Sequence, residues 1–136
     1  HAVIVGRSEI VGSPMSILLG RNEYPGNCTV TLTHSRTDNL SHFTKDADII
    51  IAAVGSPGMI TGDMVKDGVV AIDVGTTRIE DKTKKNGFRL AGDLDFDTVA
   101  PKSSYITPVP KGVGPMTIIG LLENTFKVAT KEIYAS

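Results

Sequence analysis

The sequence predicts an α/β chain with a doubly wound, mostly parallel sheet and helices on both faces. Three observations carry this. Two nearly continuous apolar runs, DIIIAAV at Asp48–Val54 and VVAIDV at Val69–Val74, have the character of strands covered on both faces. Segments of helical character alternate with runs of this kind along the chain. Glycine stands at strand ends, as at Gly6, Gly55 and Gly75.

In order, Ala2 to Val5 is a short apolar strand that ends at Gly6. Val11, Met15, Leu18 and Leu19 then fall on one helix face. Ser13-Pro14 reads as an N-cap followed by proline at the first helical position. Thr29 to Thr33 alternates threonine with Val30 and Leu32, a strand with one polar face. Thr37 to Ala47 is a weaker helix before the third strand, Asp48–Val54. Thr61 to Lys66 makes one or two helical turns ahead of the fourth strand, Val69–Val74. Glu80 to Arg89, EDKTKKNGFR, reads as a solvated loop with a turn at Asn86-Gly87, in preference to a nucleic-acid patch. Tyr105 to Val109 is a fifth strand, cut short by Pro108. Ile118, Leu121, Leu122, Thr125 and Ala129 mark a long final helix that begins near Pro115.

The bulk numbers bound the function. With 136 residues, 40% hydrophobic and 21% charged, the chain (1–136) reads as one globular domain. A net charge of −1 gives no global field for nucleic acid or an anionic membrane, so neither is expected as a partner. Cys28 is the only cysteine; it forms no internal disulfide, no zinc-spaced cluster accompanies it, and a reducing, cytoplasmic compartment fits. No apolar run reaches the roughly 18 residues of a membrane helix. His1 leads straight into a strand, which reads as a fragment of a longer chain.

The opening VIVGRSEIVG runs a strand through Gly6 into a helix. A helix N-terminus with free N–H groups at the carboxyl edge of a parallel sheet suits a phosphate. Gly6 permits the turn, Gly12 permits close helix packing, and Arg7 adds a planar cation. By themselves the two glycines support a phosphate turn and a purely geometric turn about equally. The second strand end shifts the balance. It reads THSRT, with Ser35 and Arg36 where an NAD-preferring site carries a carboxylate. Serine and arginine hydrogen-bond a 2′-phosphate that a carboxylate would repel, so the pattern favours NADP over NAD. His34 reads as a packing residue, and Asp73 as a buried carboxylate bonded to backbone.

The third strand end, AVGSPG, and the fourth, DVGTTR, bring small residues to the same edge, with Thr76 where the nicotinamide end would pass. In YITPVPKGVGPMT two prolines fix an extended path, and Gly112 and Gly114 admit close approach of backbone to a ligand.

Together GRSEIVGSPM, SRT, AVGSPGMITGDMVKDGVVAIDVG, GDLDF and YITPVPKGVGPMT resemble the C-terminal, NADP-binding half of bifunctional methylenetetrahydrofolate dehydrogenase/methenyltetrahydrofolate cyclohydrolase. The resemblance implies a Rossmann-like fold and a two-step enzyme. That enzyme oxidises 5,10-methylene-tetrahydrofolate with NADP⁺ and hydrolyses the methenyl product to 10-formyl-tetrahydrofolate, chemistry that feeds purine synthesis. It implies a phosphate loop at Gly6, Arg7 and Ser8, a 2′-phosphate contact at Ser35 beside Arg36, and cofactor contacts at Thr76 and Thr117. It implies a folate-facing loop at Pro110, Lys111, Gly112, Val113 and Gly114. Two residues depart from the family: Lys111 stands where glycine is usual, and Thr76 where isoleucine is common. A lysine enters positive φ less cheaply than glycine, which sets the loop conformation as a question for the structure.

The family's catalytic lysine and its tyrosine partner lie in the N-terminal half, which this sequence does not contain, so no residue here is assigned a catalytic role and no metal is expected. The chain is expected to bind NADP without turning over. Its final helix is expected to pack on the missing half within a homodimeric parent, and without that half to expose an apolar face that promotes association. Two alternatives stand beside this reading: a non-catalytic dinucleotide-sensing module, and another dehydrogenase of the same fold acting on shikimate-like substrates.

Overall fold

The computed structural model describes residues 1–133. Seven strands and four helices follow in the order β1 (Ala2–Val5), α1 (Gly12–Gly20), β2 (Val30–Thr33), α2 (Leu40–Thr44), β3 (Ile49–Ala52), β4 (Val69–Asp73), β5 (Thr77–Glu80), β6 (Phe88–Ala91), α3 (Phe96–Val99), β7 (Ser103–Ile106) and α4 (Val113–Ala129). Short 3-10 turns occupy Gly62–Met64 and Ala100–Lys102.

Five strands form one parallel sheet in the order β2-β1-β3-β4-β7. β1 lies inside it, and all four of its residues are buried. This explains why Ala2–Val5 carries no polar position: a strand flanked by neighbours and covered on both faces has no solvent side. The chain leaves β1 in one direction towards β2 and returns past it to β3. Right-handed crossovers then place α1 on one face and α2 on the other. Val3, Val5, Ile50, Ala52, Val69 and Ala71 alternate onto one face and pack with Ile60, Val65, Leu94 and Val99. Each large side chain removed from water there contributes about 1.5–3 kcal/mol. Ile4 and Ile51, one position out of phase, are buried as well.

The alternation and the five sheet strands match the sequence reading; several boundaries do not. α1 starts at Gly12 with Val11 as its N-cap, so Ser13 and Pro14 lie inside the first turn. A proline there costs no hydrogen bond, because first-turn N–H groups have no helical acceptor. The weak helix over 37–47 shrinks to Leu40–Thr44, and the fifth strand runs Ser103–Ile106, upstream of Pro108. α4 begins at Val113, two residues before Pro115. The short helix α3 has no counterpart in the sequence reading.

At Glu80–Arg89 the solvated loop is present over residues 81–87, with a turn at Asn86 and Gly87, and the addition to the sequence reading lies at its two ends. There β5 and β6 pair antiparallel as a hairpin. Its many charges mask an alternation in which Ile79, Phe88 and Leu90 are half-buried. The Arg78 guanidinium lies 4.8 Å from the centre of the Phe88 ring, and the Asp81 carboxylate accepts hydrogen bonds from the Thr83 N–H and hydroxyl at the turn. α4 contains no buried residue, and Ile118, Leu121, Leu122 and Phe126 face solvent.

Candidate functional site

All five parallel strands end at one edge, and their order reverses between β1 and β3. Open α/β sheets place ligands at this kind of reversal, outside the carboxyl ends of the strands. There Gly6 turns the chain at a φ of 110°, and its N–H donates to the Thr33 carbonyl at 3.0 Å, holding the β1 end against the β2 end. A Cβ on Gly6 would lie 2.3 Å from the Ala53 oxygen, and one on Gly12 would lie 1.9 Å from the Gly6 oxygen. Turn, helix start and β3 end therefore meet backbone to backbone.

Ser8 organises the helix start. Its hydroxyl oxygen accepts from the N–H of Val11 at 3.2 Å and, more weakly, of Gly12 at 3.4 Å, and its carbonyl accepts from Ser13 at 3.0 Å. Among the described residues, the N–H groups of Arg7, Ser8, Glu9 and Ile10 find no acceptor. All four residues are exposed, so these donors are open to an anion. Ser35 and Arg36 occupy the exposed turn after β2. His34 shapes that turn: its Nδ1 accepts from the Arg36 N–H at 3.1 Å, and its own N–H donates to the Thr37 hydroxyl at 3.0 Å. Neither Arg7 nor Arg36 forms an ion pair among the described residues.

A different group of residues gathers at the β4 and β7 ends. Thr76, Pro110, Lys111, Gly112, Val113, Gly114 and Thr117 all line one cavity of about 440 Å³, together with Asp73, Val74 and Leu90. Lys111 adopts a φ of 80°, so the loop keeps a conformation natural to glycine with a lysine in place. Gly112 is required by space, since a Cβ would lie 2.3 Å from the Pro108 oxygen; at Gly114 a Cβ meets nothing within 4 Å. The Thr117 hydroxyl donates to the Gly114 carbonyl at 2.6 Å. The candidate residues thus form two clusters on one sheet edge: Gly6, Arg7, Ser8, Ser35 and Arg36 at the β1–β2 ends, the rest around the cavity.

Two buried carboxylates brace the edge between them. Asp73 accepts from the N–H groups of Gly75 at 2.9 Å, Asp93 at 3.0 Å and Leu94 at 2.9 Å. This is the backbone-bonded role the sequence reading gave it. Asp93, absent from that reading as a site residue, accepts from Val54 at 2.6 Å, Gly55 at 3.1 Å and Ser56 at 2.7 Å. It fixes the loop at the β3 end, and it is itself held by Asp73.

Burial raises the Asp73 carboxyl above the ordinary 3.8, despite the three N–H donors that favour its charge. At the hairpin, hydrogen bonds from Thr83 hold the half-buried Asp81 below the ordinary value. The two act on stability with opposite sign. For Asp73 the folded state binds the proton more readily, so ionisation weakens folding as pH rises from 3.8 through the raised value. For Asp81 the stabilisation is present above the unfolded value and is lost as pH falls through the lowered one. A carboxyl-carbon NMR titration is expected to place the Asp73 midpoint above 3.8 and that of Asp81 below it. Coincident midpoints would refute the assigned environments.

Residues 1–133 match the family described as tetrahydrofolate dehydrogenase/cyclohydrolase, NAD(P)-binding domain. The chain belongs to this family. Among its relatives, the bifunctional protein FolD of Cytophaga hutchinsonii is 64% identical over 129 residues, covering 95% of this chain and 44% of the relative. FolD of Amoebophilus asiaticus is 58% identical over 134 residues, 98% of this chain and 45% of the relative. The chain therefore spans about half the length of these curated relatives. Among solved structures, the bifunctional FolD methylenetetrahydrofolate dehydrogenase/cyclohydrolase of Campylobacter jejuni superposes with a TM-score of 0.83 at 49% identity, over 96% of this chain and 43% of that one. The methylenetetrahydrofolate dehydrogenase-cyclohydrolase of Trypanosoma brucei, in complex with an NADP cofactor and an inhibitor, superposes with a TM-score of 0.87 at 40% identity, over 98% of this chain and 44% of that one. Family membership agrees with the Rossmann-like sheet, whose strand order puts the glycine turn at the reversal point.

Proposed function

We propose that this chain is the NADP-binding half of an enzyme that oxidises 5,10-methylene-tetrahydrofolate with NADP⁺ and hydrolyses 5,10-methenyl-tetrahydrofolate to 10-formyl-tetrahydrofolate. The observation that carries the cofactor assignment is the β1–β2 edge: a glycine turn with open N–H donors beside Ser35 and two unpaired arginines, with no carboxylate in the SRT turn. These residues fit a dinucleotide carrying a 2′-phosphate. The Gly6–Gly12 turn leaves backbone, not side chain, at the place where a pyrophosphate would rest. Arg7, Ser35 and Arg36 offer charge-assisted hydrogen bonds to the extra phosphate.

When bound, the cofactor supplies the hydride acceptor. This chain's residues bind and orient. Thr76 and Thr117 stand at the cavity that would take the nicotinamide end, and Pro110 to Gly114 form the wall that would face the folate. Both Asp73 oxygens accept backbone N–H groups, so Asp73 serves as wall and brace. The reading assigns the catalytic acid–base groups to the part of the enzyme outside this chain. It extends to a cytoplasmic, homodimeric parent that supplies one-carbon units for purine synthesis. The folate-facing loop favours it over a non-catalytic sensing module, which has no use for such a wall.

Titration of the chain with NADP⁺ and NAD⁺ at equal ionic strength tests the reading. NADP⁺ is expected to bind more tightly. Arg7→Ala and Ser35→Ala are each expected to weaken NADP⁺ by about tenfold while leaving NAD⁺ nearly unchanged, the scale of one charge-assisted hydrogen bond. Equal losses for the two cofactors would place these side chains away from the 2′-phosphate.

A further inference from the structure

Lys111 holds a backbone conformation that costs a lysine and that glycine adopts freely. Its φ of 80° is in the left-handed region, where Cβ crowds the following carbonyl. Among the described residues, three other non-glycine residues have positive φ. Asn27 and Asn39 are of the type that tolerates it, and Lys131 lies just past the end of α4, where helices commonly stop on such a residue. Lys111 is neither of that residue type nor at the end of a helix. It stands in the turn between Pro110 and Gly112, at the wall of the 440 Å³ cavity, with its side chain exposed. Strain kept at a cavity is an observation that leads to a functional hypothesis.

The side chain adds one thing to this wall that glycine would not: a positive charge on a flexible stem. That charge forms no ion pair among the described residues. The carboxylate that shares the cavity, Asp73, is buried and already accepts three backbone N–H groups. The cation is therefore available to whatever occupies the cavity.

We infer that Lys111 is a specificity residue whose ammonium receives an anionic group of the ligand bound in this cavity. The inference rests on the reading above, in which the cavity takes a folate beside the end of the dinucleotide. Both ligands carry anions: carboxylates on the glutamyl tail of the folate, phosphates on NADP. Arg7, Ser35 and Arg36 already offer partners to phosphate at the other cluster, so the folate carboxylates are the favoured source.

The test uses the full-length parent enzyme, as wild type, Lys111→Gln, Lys111→Gly and Lys111→Arg. Gln removes the charge and keeps the strain, Gly removes both, and Arg keeps both. Each is titrated with tetrahydrofolate bearing one or several glutamates, and with NADP⁺, at low and high salt. The Gln and Gly variants are expected to bind the polyglutamyl folate about tenfold more weakly at low salt, with the difference from wild type fading at high salt and Arg retaining wild-type binding. A loss confined to NADP⁺ keeps the anion-binding role and moves its source to a phosphate. Unchanged binding of both ligands overturns the inference, whether or not Lys111→Gly shifts the thermal midpoint. Failure of the wild-type parent to bind either ligand overturns the proposed function and this inference with it.

Discussion

Gly12→Ala is expected to destabilise the fold by about 3 kcal/mol or more and to abolish NADP⁺ binding. The added Cβ would sit 1.9 Å from the Gly6 oxygen, 2.7 Å from the Gly6 carbon and 2.9 Å from the Arg7 Cα. All three are backbone atoms, so no rotamer change relieves the overlap. Relief requires α1 to withdraw from the β1 end. That movement also disturbs the hydrogen bonds that the N–H groups of Val11 and Gly12 donate to the Ser8 hydroxyl, which shape the turn with the open donors. Stability and cofactor affinity are lost together because one backbone contact serves both. Gly120→Ala is the control. It lies within α4, a Cβ there meets nothing within 4 Å, and alanine is favoured over glycine in a helix by about 1 kcal/mol. Urea unfolding followed by circular dichroism separates the two: the midpoint is expected to fall for Gly12→Ala and to rise for Gly120→Ala. A wild-type midpoint and cofactor affinity in Gly12→Ala would remove the steric account of the turn.

What could be read in advance follows from the range over which each signal acts. The parallel sheet was legible because burial on both faces writes itself into consecutive residues, as in Ala2–Val5 and Val69–Asp73. The glycine turn was legible because Gly6 and Gly12 act on residues close by in the chain. The β5–β6 hairpin was obscured because its charged residues hide a weak alternation, and because part of its stability comes from the diagonal packing of Arg78 on Phe88. Asp93 could not be read as a brace. Its three donors lie 39, 38 and 37 residues earlier in the chain, and nothing within GDLDF indicates them. Lys111 was a visible departure, but whether its loop would keep positive φ depended on packing around Pro108 and Gly112.

Asp93→Ala is expected to cost about 3 kcal/mol and to loosen the loop that carries Val54, Gly55 and Ser56. Asp93 is fully buried, and its two oxygens accept all three of those N–H groups. Hydrogen bonds to a charged acceptor contribute about 1.5–3 kcal/mol each. Residues 54–56 are themselves exposed, so water replaces part of what is lost and the total stays below the sum. The surroundings show that the site is built for a carboxylate. A Cβ on Gly75 would lie 2.4 Å from the Asp93 carboxyl carbon, and one on Gly92 would lie 2.0 Å from an Asp73 oxygen. Two glycines therefore leave room for two acids, and each acid ties the end of one strand to a loop from elsewhere in the chain. Asn at position 93 keeps one acceptor oxygen but turns an amide donor towards an N–H group, so Asp93→Asn is expected to fall between wild type and Ala. Amide hydrogen exchange gives the decisive readout. Protection at Val54, Gly55 and Ser56 is expected to drop in Asp93→Ala well beyond any drop in β1, because the carboxylate acts on that loop directly. Uniform loss across the sheet would mean that Asp93 supports the core as a whole, and the loop would then owe its shape to the β3 backbone alone.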